Sequence, residues 1–300
     1  QSSGIGGGGF LVRGTADGAV ETLDGRETAP AAANGDWFLD ADGKPVPFRA
    51  AVQSGLSVGV PGNVMLAVEA HRRHGKLAWA DLFQPAIRLA RQGFVMNPRL
   101  NQSLTESIAT GGADADAQAI FYDQGGTALP PGSRITNPEL ATTLERIAIG
   151  GWQAFYDGPA AERLAANVAA ATPKPQGMTM ADITAYRAKE REPVCGAYRS
   201  YRICGMGPPS SGGVAVLQML AQLQRFDLAA LGPDNPTFWH LLLESQRLAY
   251  ADRELYMGDD DFVSVPAAYL TGPGYMASRG ELIDPDRAME TVEAGQLVPR

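Results

Sequence analysis

The run Gly4-Ile5-Gly6-Gly7-Gly8-Gly9-Phe10 constrains this chain most, because it carries a nearly bare backbone straight into a strand. Glycines in such density mark a backbone that must adopt positive φ or let another element come close. Phe10-Leu11-Val12-Arg13-Gly14 and Ala19-Val20-Glu21-Thr22-Leu23, around Asp17-Gly18, then read as two short strands and a turn. Both glycine-rich phosphate-binding templates are excluded. Gly-Lys-Ser/Thr is missing, and a strand follows where those templates need a helix.

The hairpin delivers the chain into Asp24-Gly25-Arg26-Glu27-Thr28-Ala29-Pro30. An arginine just past a strand, followed by a rigid Ala-Pro, is a fixed guanidinium whose planar fork suits bidentate recognition of a carboxylate. On the residues alone, the plainer reading is a surface ion pair of Arg26 with Glu27 or Asp24. Ser210 and Ser211 lie between Pro208-Pro209 and Gly212-Gly213, with no Gly-x-Ser-x-Gly elbow and no histidine nearby. They read as caps of the next helix rather than as nucleophiles.

GIGGGGFLV followed by a hairpin and DGRETAP resembles the opening of the large subunit of γ-glutamyltranspeptidases. Similar matches follow in the same order. They are Ser54–Gly62, Gln84–Phe94 with its Gly-Phe stop, the Pro-Pro-Ser-Ser-Gly-Gly of 208–213, and Ala249-Tyr250-Ala251-Asp252-Arg253 with Gly258-Asp259 and Asp261-Phe262-Val263. The resemblance implies a four-layer αββα sandwich of the N-terminal-nucleophile hydrolases, an α/β (α+β) fold of which this chain supplies the helix-rich large-subunit part. It also implies cleavage of γ-glutamyl amides such as glutathione, with transfer of the acyl group to water or to amino acids and peptides. The nucleophile would be a threonine freed by self-cleavage and expected beyond Arg300, so no catalytic residue is assigned within the chain. The partner would be the small subunit of the same precursor. No metal and no organic cofactor are implied.

Within that resemblance Arg26 is the one substrate-binding residue, pairing with the α-carboxylate of the γ-glutamyl group, and Glu27 would hold Arg26 in place. Residues 1–300 are expected to form a single, incomplete domain, and the location to be periplasmic or secreted. The same motifs fit the related cephalosporin or glutaryl acylases. A non-catalytic, amino-acid-binding relative is a further alternative.

A chain of 300 residues with 45% hydrophobic content can bury a large core, and two domains are allowed but not required. A net charge of −8 argues against nucleic acid and anionic membrane surfaces as partners. No apolar run long enough to span a membrane is found. The start at Gln1-Ser2-Ser3 lacks Met and an apolar leader core, and reads as a chain with residues missing ahead of it. Leu297-Val298-Pro299-Arg300 could be a protease-site remnant, but the natural reading is preferred.

Two cysteines, Cys195 and Cys204, flank strand-like residues; facing hairpin positions could bridge them, but buried free thiols are the preferred reading. His71 and His74, beside Arg72 and Arg73, read as a solvated helix face rather than metal ligands. Asp252, Asp259, Asp260 and Asp261 read as a solvated acidic end after the long helix, without the alternating ligands of a calcium loop.

Helices are expected over 62–74 (stripe Val64, Leu66, Ala67, Ala70, His71), 79–92 (Leu82, Ile87 and Leu89 inward) and 97–109. Further helices are expected over 138–150 with Asn137 as cap, 159–171, 179–186 with a Thr179/Asp182 capping box, 214–224 and 237–254. Residues 194–206 read as two strands, and 114–131 as a polar loop.

Overall fold

The computed structural model describes residues 4–109 and 114–297, so the expectations for Gln1–Ser3 and Val298–Arg300 fall outside it. Its strands are β1 (Gly9–Gly14), β2 (Val20–Gly25), β3 (Phe94–Val95), β4 (Arg134–Ile135), β5 (Lys189–Arg191), β6 (Val194–Tyr198) and β7 (Tyr201–Gly205). They pair as β1-β2-β5, β3-β4 and β6-β7. The expected first hairpin is present, closed by the Thr15 N–H donating to the Ala19 carbonyl at 2.9 Å. Two compact units result: Gln1–Gly9 with Gly25–Ala188, and Phe10–Asp24 with Lys189–Arg300.

In the first unit, the helix Asn63–His74 turns Val64 and Met65 into the core. The expected stripe was half right: Ala67 is exposed and Met65 takes its place. Tyr156 is fully buried beside this helix. Its hydroxyl donates to the Pro61 carbonyl at 2.8 Å and accepts from the Met65 N–H at 3.2 Å, and burial pushes it up to about 12.

The helix Trp79–Gln92 ends at Gly93 as expected, but Leu82 and Leu89 face solvent. Its buried face is Ile87 and Ala90, packed on Ala141, Leu144 and Ala148 of the helix Pro138–Gly150. That second helix begins as its sequence says it should, with Asn137 accepting the Leu140 N–H at 2.8 Å and Pro138 in the first turn. The expected loop after residue 114 instead opens with a short helix, Ala115–Phe121. There Asp114 caps the Ala117 N–H at 2.8 Å, a cap that a reading by glycine content overlooks.

The second unit is built on the helix Pro236–Tyr256, which buries Leu241, Glu244, Ser245, Leu248, Ala249 and Asp252. Leu223, Leu241, Leu248 and Ile283 form its apolar cluster. Asp252 corrects an expectation. It is 1% exposed, lies inside the helix, and forms an ion pair with Arg279 at 3.2 Å. It also accepts hydrogen bonds from Gln218 at 2.8 Å and from the Gly295 N–H at 2.9 Å.

Free thiols are likewise overturned. β6 and β7 run antiparallel with Cys195 directly opposite Cys204, and the two form a disulfide. Facing positions put the Cα atoms 4.1 Å apart, so the register outweighed the usual preference of cysteine for burial as a thiol.

Candidate functional site

The site is assembled within the first unit from three backbones that run close together. Gly8 passes against the segment leaving β2: a Cβ there would lie 2.5 Å from Glu27 Oε2 and 2.8 Å from Arg26 Cα. Gly62 is packed as tightly, since a Cβ would lie 2.0 Å from the Gly25 carbonyl oxygen. The Gly7 carbonyl accepts from the N–H groups of Gly62 at 3.0 Å and Asn63 at 2.9 Å, tying the glycine run to the start of the next helix. Close approach, one of the roles the sequence implies for the run, is therefore required at Gly8, whereas Gly4 and Gly6 have open space around them.

The segment Arg26–Pro30 is held from both sides. Thr28 exchanges backbone hydrogen bonds with Val60, at 3.3 Å and 2.8 Å. The Tyr186 hydroxyl donates to the Arg26 carbonyl at 2.7 Å, and the Ala31 N–H donates to Asp182 at 2.8 Å. Asp182 also completes the expected capping box with Thr179 at the head of the helix Met180–Ala185. Burial alone would push its carboxyl up. The hydrogen bonds from Ala31 and Thr179 outweigh that and hold it below the ordinary range.

Arg26 lines a cavity of about 680 Å³ together with Glu27, Thr28, Trp37, Phe38 and Val58, among others. Its Nε lies 3.4 Å from Glu27 Oε2, and its side chain is 52% exposed. So the Glu27 contact exists, while Asp24 pairs instead with Arg191 at 3.2 Å. Trp37 and Phe38 were missed as wall residues. Trp37 is fixed by its indole N–H donating to the Leu56 carbonyl at 2.9 Å, and the loop behind it by Lys174, which donates to the Asp36 and Leu39 carbonyls. No local sequence signal links positions 37, 56 and 174.

Ser210 accepts the Gly212 N–H at 3.2 Å, in keeping with a turn-and-cap role, whereas Ser211 accepts from Arg253 at 3.1 Å and caps nothing by its side chain. His71 is spent on the Leu77 carbonyl at 2.8 Å. Asp260 and Asp261 sit on Arg191, and Asp261 also on Lys189. Cations of the protein itself thus already face this acidic loop. Among the described residues no helix is long and apolar enough to cross a membrane.

Glu69, on the same helix as the histidines, accepts from Arg72 and Arg73 at 2.7 Å each, and those bonds lower its carboxyl from 4.5 to about 2. A depressed folded-state value contributes stability above the unfolded value and loses it as pH falls. Glu69→Gln is thus expected to be less stable than the parent at neutral pH, with the gap closing as pH falls from about 4.5 to about 2. Urea melts at several pH values check this; a gap independent of pH would show that the pairs contribute nothing.

A family model described as Gamma-glutamyltranspeptidase matches residues 1–298. The glutathione hydrolase proenzyme of Escherichia coli (strain K12) is 36% identical over 307 residues, covering 100% of this chain and 51% of that protein. An Acylase ACY 1 proenzyme of Pseudomonas sp. (strain V22) is 37% identical over 292 residues, covering 95% and 51% respectively. The crystal structure of Helicobacter pylori gamma-glutamyltranspeptidase is similar with a TM-score of 0.91 and 35% identity, over 98% of this chain and 84% of that one.

The fold is that of the N-terminal-nucleophile hydrolases, in their helix-rich portion. The chain belongs to the gamma-glutamyltranspeptidase family. It spans about half the length of the curated relatives it matches.

Proposed function

We propose that this chain is the large-subunit portion of an enzyme that cleaves γ-glutamyl amides such as glutathione and passes the γ-glutamyl group to water or to amino acids and peptides. The observation that carries the reading is Arg26, whose backbone is held by Tyr186 and whose half-exposed side chain pairs with Glu27 where both residues line the cavity. Arg26 binds the substrate α-carboxylate, and Glu27 orients the guanidinium. The nucleophile is a threonine beyond Arg300, freed by self-cleavage, with its own α-amine as base. The partner is the small subunit, and residues 1–300 are one incomplete domain that it completes. The Cys195–Cys204 disulfide supports a periplasmic or secreted location, because such bonds persist in oxidising compartments.

The acylase relative favours a second reading, that of an acylase, and the glutaryl group is the acyl group that the sequence resemblance offers for it. A glutaryl group carries the same terminal carboxylate and lacks only the α-ammonium, so Arg26 serves both readings. Three anilides separate them in assays of the full-length precursor after maturation: γ-glutamyl, glutaryl and 4-aminobutyryl. The expected order is γ-glutamyl fastest, glutaryl slower, and 4-aminobutyryl, which lacks the carboxylate, slowest. Glutaryl turnover matching or exceeding γ-glutamyl would select the acylase reading. Equal rates with all three would remove the carboxylate-binding role.

A further inference from the structure

The β6–β7 hairpin has two unlike faces. Side chains alternate along a strand, so Val194, Gly196, Ile203 and Gly205 share one face and Cys195, Ala197, Arg202 and Cys204 the other. The first face carries the packing: a Cβ on Gly196 would lie 3.0 Å from Leu217, and one on Gly205 would lie 2.9 Å from Gly213, both in the helix Gly212–Leu223. The disulfide is thus on the face turned away from that helix. Its neighbours there, Ala197 and Arg202, are exposed, and the two half-cystines are only half-buried.

The two sulfurs are not equivalent. Arg202 Nη2 donates to Cys195 Sγ at 3.4 Å, while its Nη1 is anchored on the Gly18 carbonyl at 2.8 Å. A neighbouring guanidinium stabilises a thiolate, and a sulfur that is better stabilised as thiolate is the better leaving group.

We propose that Cys195–Cys204 is an exchange site for low-molecular-weight thiols, attacked at Cys204 with Cys195 as the leaving sulfur. The incoming thiolate forms a new S–S bond to Cys204 Sγ. The Cys195–Cys204 bond breaks, and its electron pair goes to Cys195 Sγ, which becomes a thiolate beside Arg202. Reversal by Cys195 restores the protein disulfide and expels the small thiol. Attack by a second small thiolate instead releases the small disulfide and leaves both cysteines reduced, so two electrons pass from two thiols to the protein pair. The hairpin survives either outcome, because its backbone ladder runs in the plane of the two strands and its packing on the helix Gly212–Leu223 lies on the opposite face.

The site does not depend on γ-glutamyl chemistry, so the probe is N-acetylcysteine, which has no γ-glutamyl bond. The full-length precursor is incubated with it under native conditions, quenched with iodoacetamide, and mapped by peptide mass spectrometry. The N-acetylcysteine adduct is expected on Cys204 and the carbamidomethyl group on Cys195. Arg202→Gln should slow exchange roughly three- to tenfold and erase the preference between the two sulfurs, and Arg202→Lys should restore part of both. Arg202 is exposed, so both variants are expected to fold, which circular dichroism checks. A second measurement uses Cys204→Ser, in which the Cys195 thiol should react with iodoacetamide at lower pH than in the Cys204→Ser/Arg202→Gln double variant. Adduct chiefly on Cys195, or a preference and rate unchanged in Arg202→Gln, would overturn the assignment. So would exchange that occurs only after unfolding.

Discussion

Arg26→Lys in the matured full-length enzyme is expected to lower kcat/KM for γ-glutamyl anilides roughly ten- to a hundredfold, with the melting temperature unchanged. Lysine keeps the charge but not the two-pronged fork, so the α-carboxylate would be met by one charge-assisted bond in place of two. Such a bond contributes roughly 1.5–3 kcal/mol, which sets the size of the effect. Folding should be indifferent, since the side chain is half exposed and what ties this segment down is backbone: the Tyr186 hydroxyl on the Arg26 carbonyl and the Thr28–Val60 bridge. Self-cleavage should also proceed, because it acts on the protein's own peptide bond and needs no substrate carboxylate. Kinetics equal to the parent's would reduce Arg26 to the ion-pair partner of Glu27.

The largest loss of stability is expected from Asp252→Ala. This carboxylate meets Arg279, Gln218 and the Gly295 N–H out of contact with water. Removing it leaves a guanidinium that is itself almost wholly buried without its counter-charge, a defect that costs roughly 3–5 kcal/mol. For a chain of this size the melting temperature should fall by on the order of ten degrees. Asp259→Asn, on the exposed acidic loop, should change stability by no more than about 0.5 kcal/mol. Superimposable thermal melts for Asp252→Ala and the parent would show that the buried ion pair contributes nothing net.

Asp252 also shows where sequence reading failed. Counted along the chain it falls in with Asp259, Asp260 and Asp261. Counted around the helix, Leu241, Ser245, Leu248 and Asp252 follow one another at the spacing of a single buried face. The period was there to be read, but a carboxylate is not expected on such a face unless its partner is known, and Arg279 lies in a different helix. Leu82 and Leu89 failed for the converse reason. An apolar side chain offers itself to the core, but the packing partner decides, and the helix Pro138–Gly150 met Ile87 and Ala90. Local signals fared better. Asn137-Pro138, the Thr179/Asp182 box and the first hairpin each act within a few residues, and each formed. The motif singled out Arg26 but gave no sign of the cavity it lines, because Trp37, Leu56 and Lys174 converge only in three dimensions.

The two contacts that fix the Arg26–Ala31 segment from the helix Met180–Ala185 and its end reach across 160 residues, for Tyr186 to Arg26, and 151, for Asp182 to Ala31. A ribosome adds roughly 5–20 residues per second, so the arginine emerges roughly ten to thirty seconds before the tyrosine that holds it. During that interval the nascent segment lacks both clamps, and a protease or chaperone present at the exit tunnel meets it in that state. Synonymous codon changes that slow translation between these positions would lengthen that interval without altering a single side chain of the finished protein.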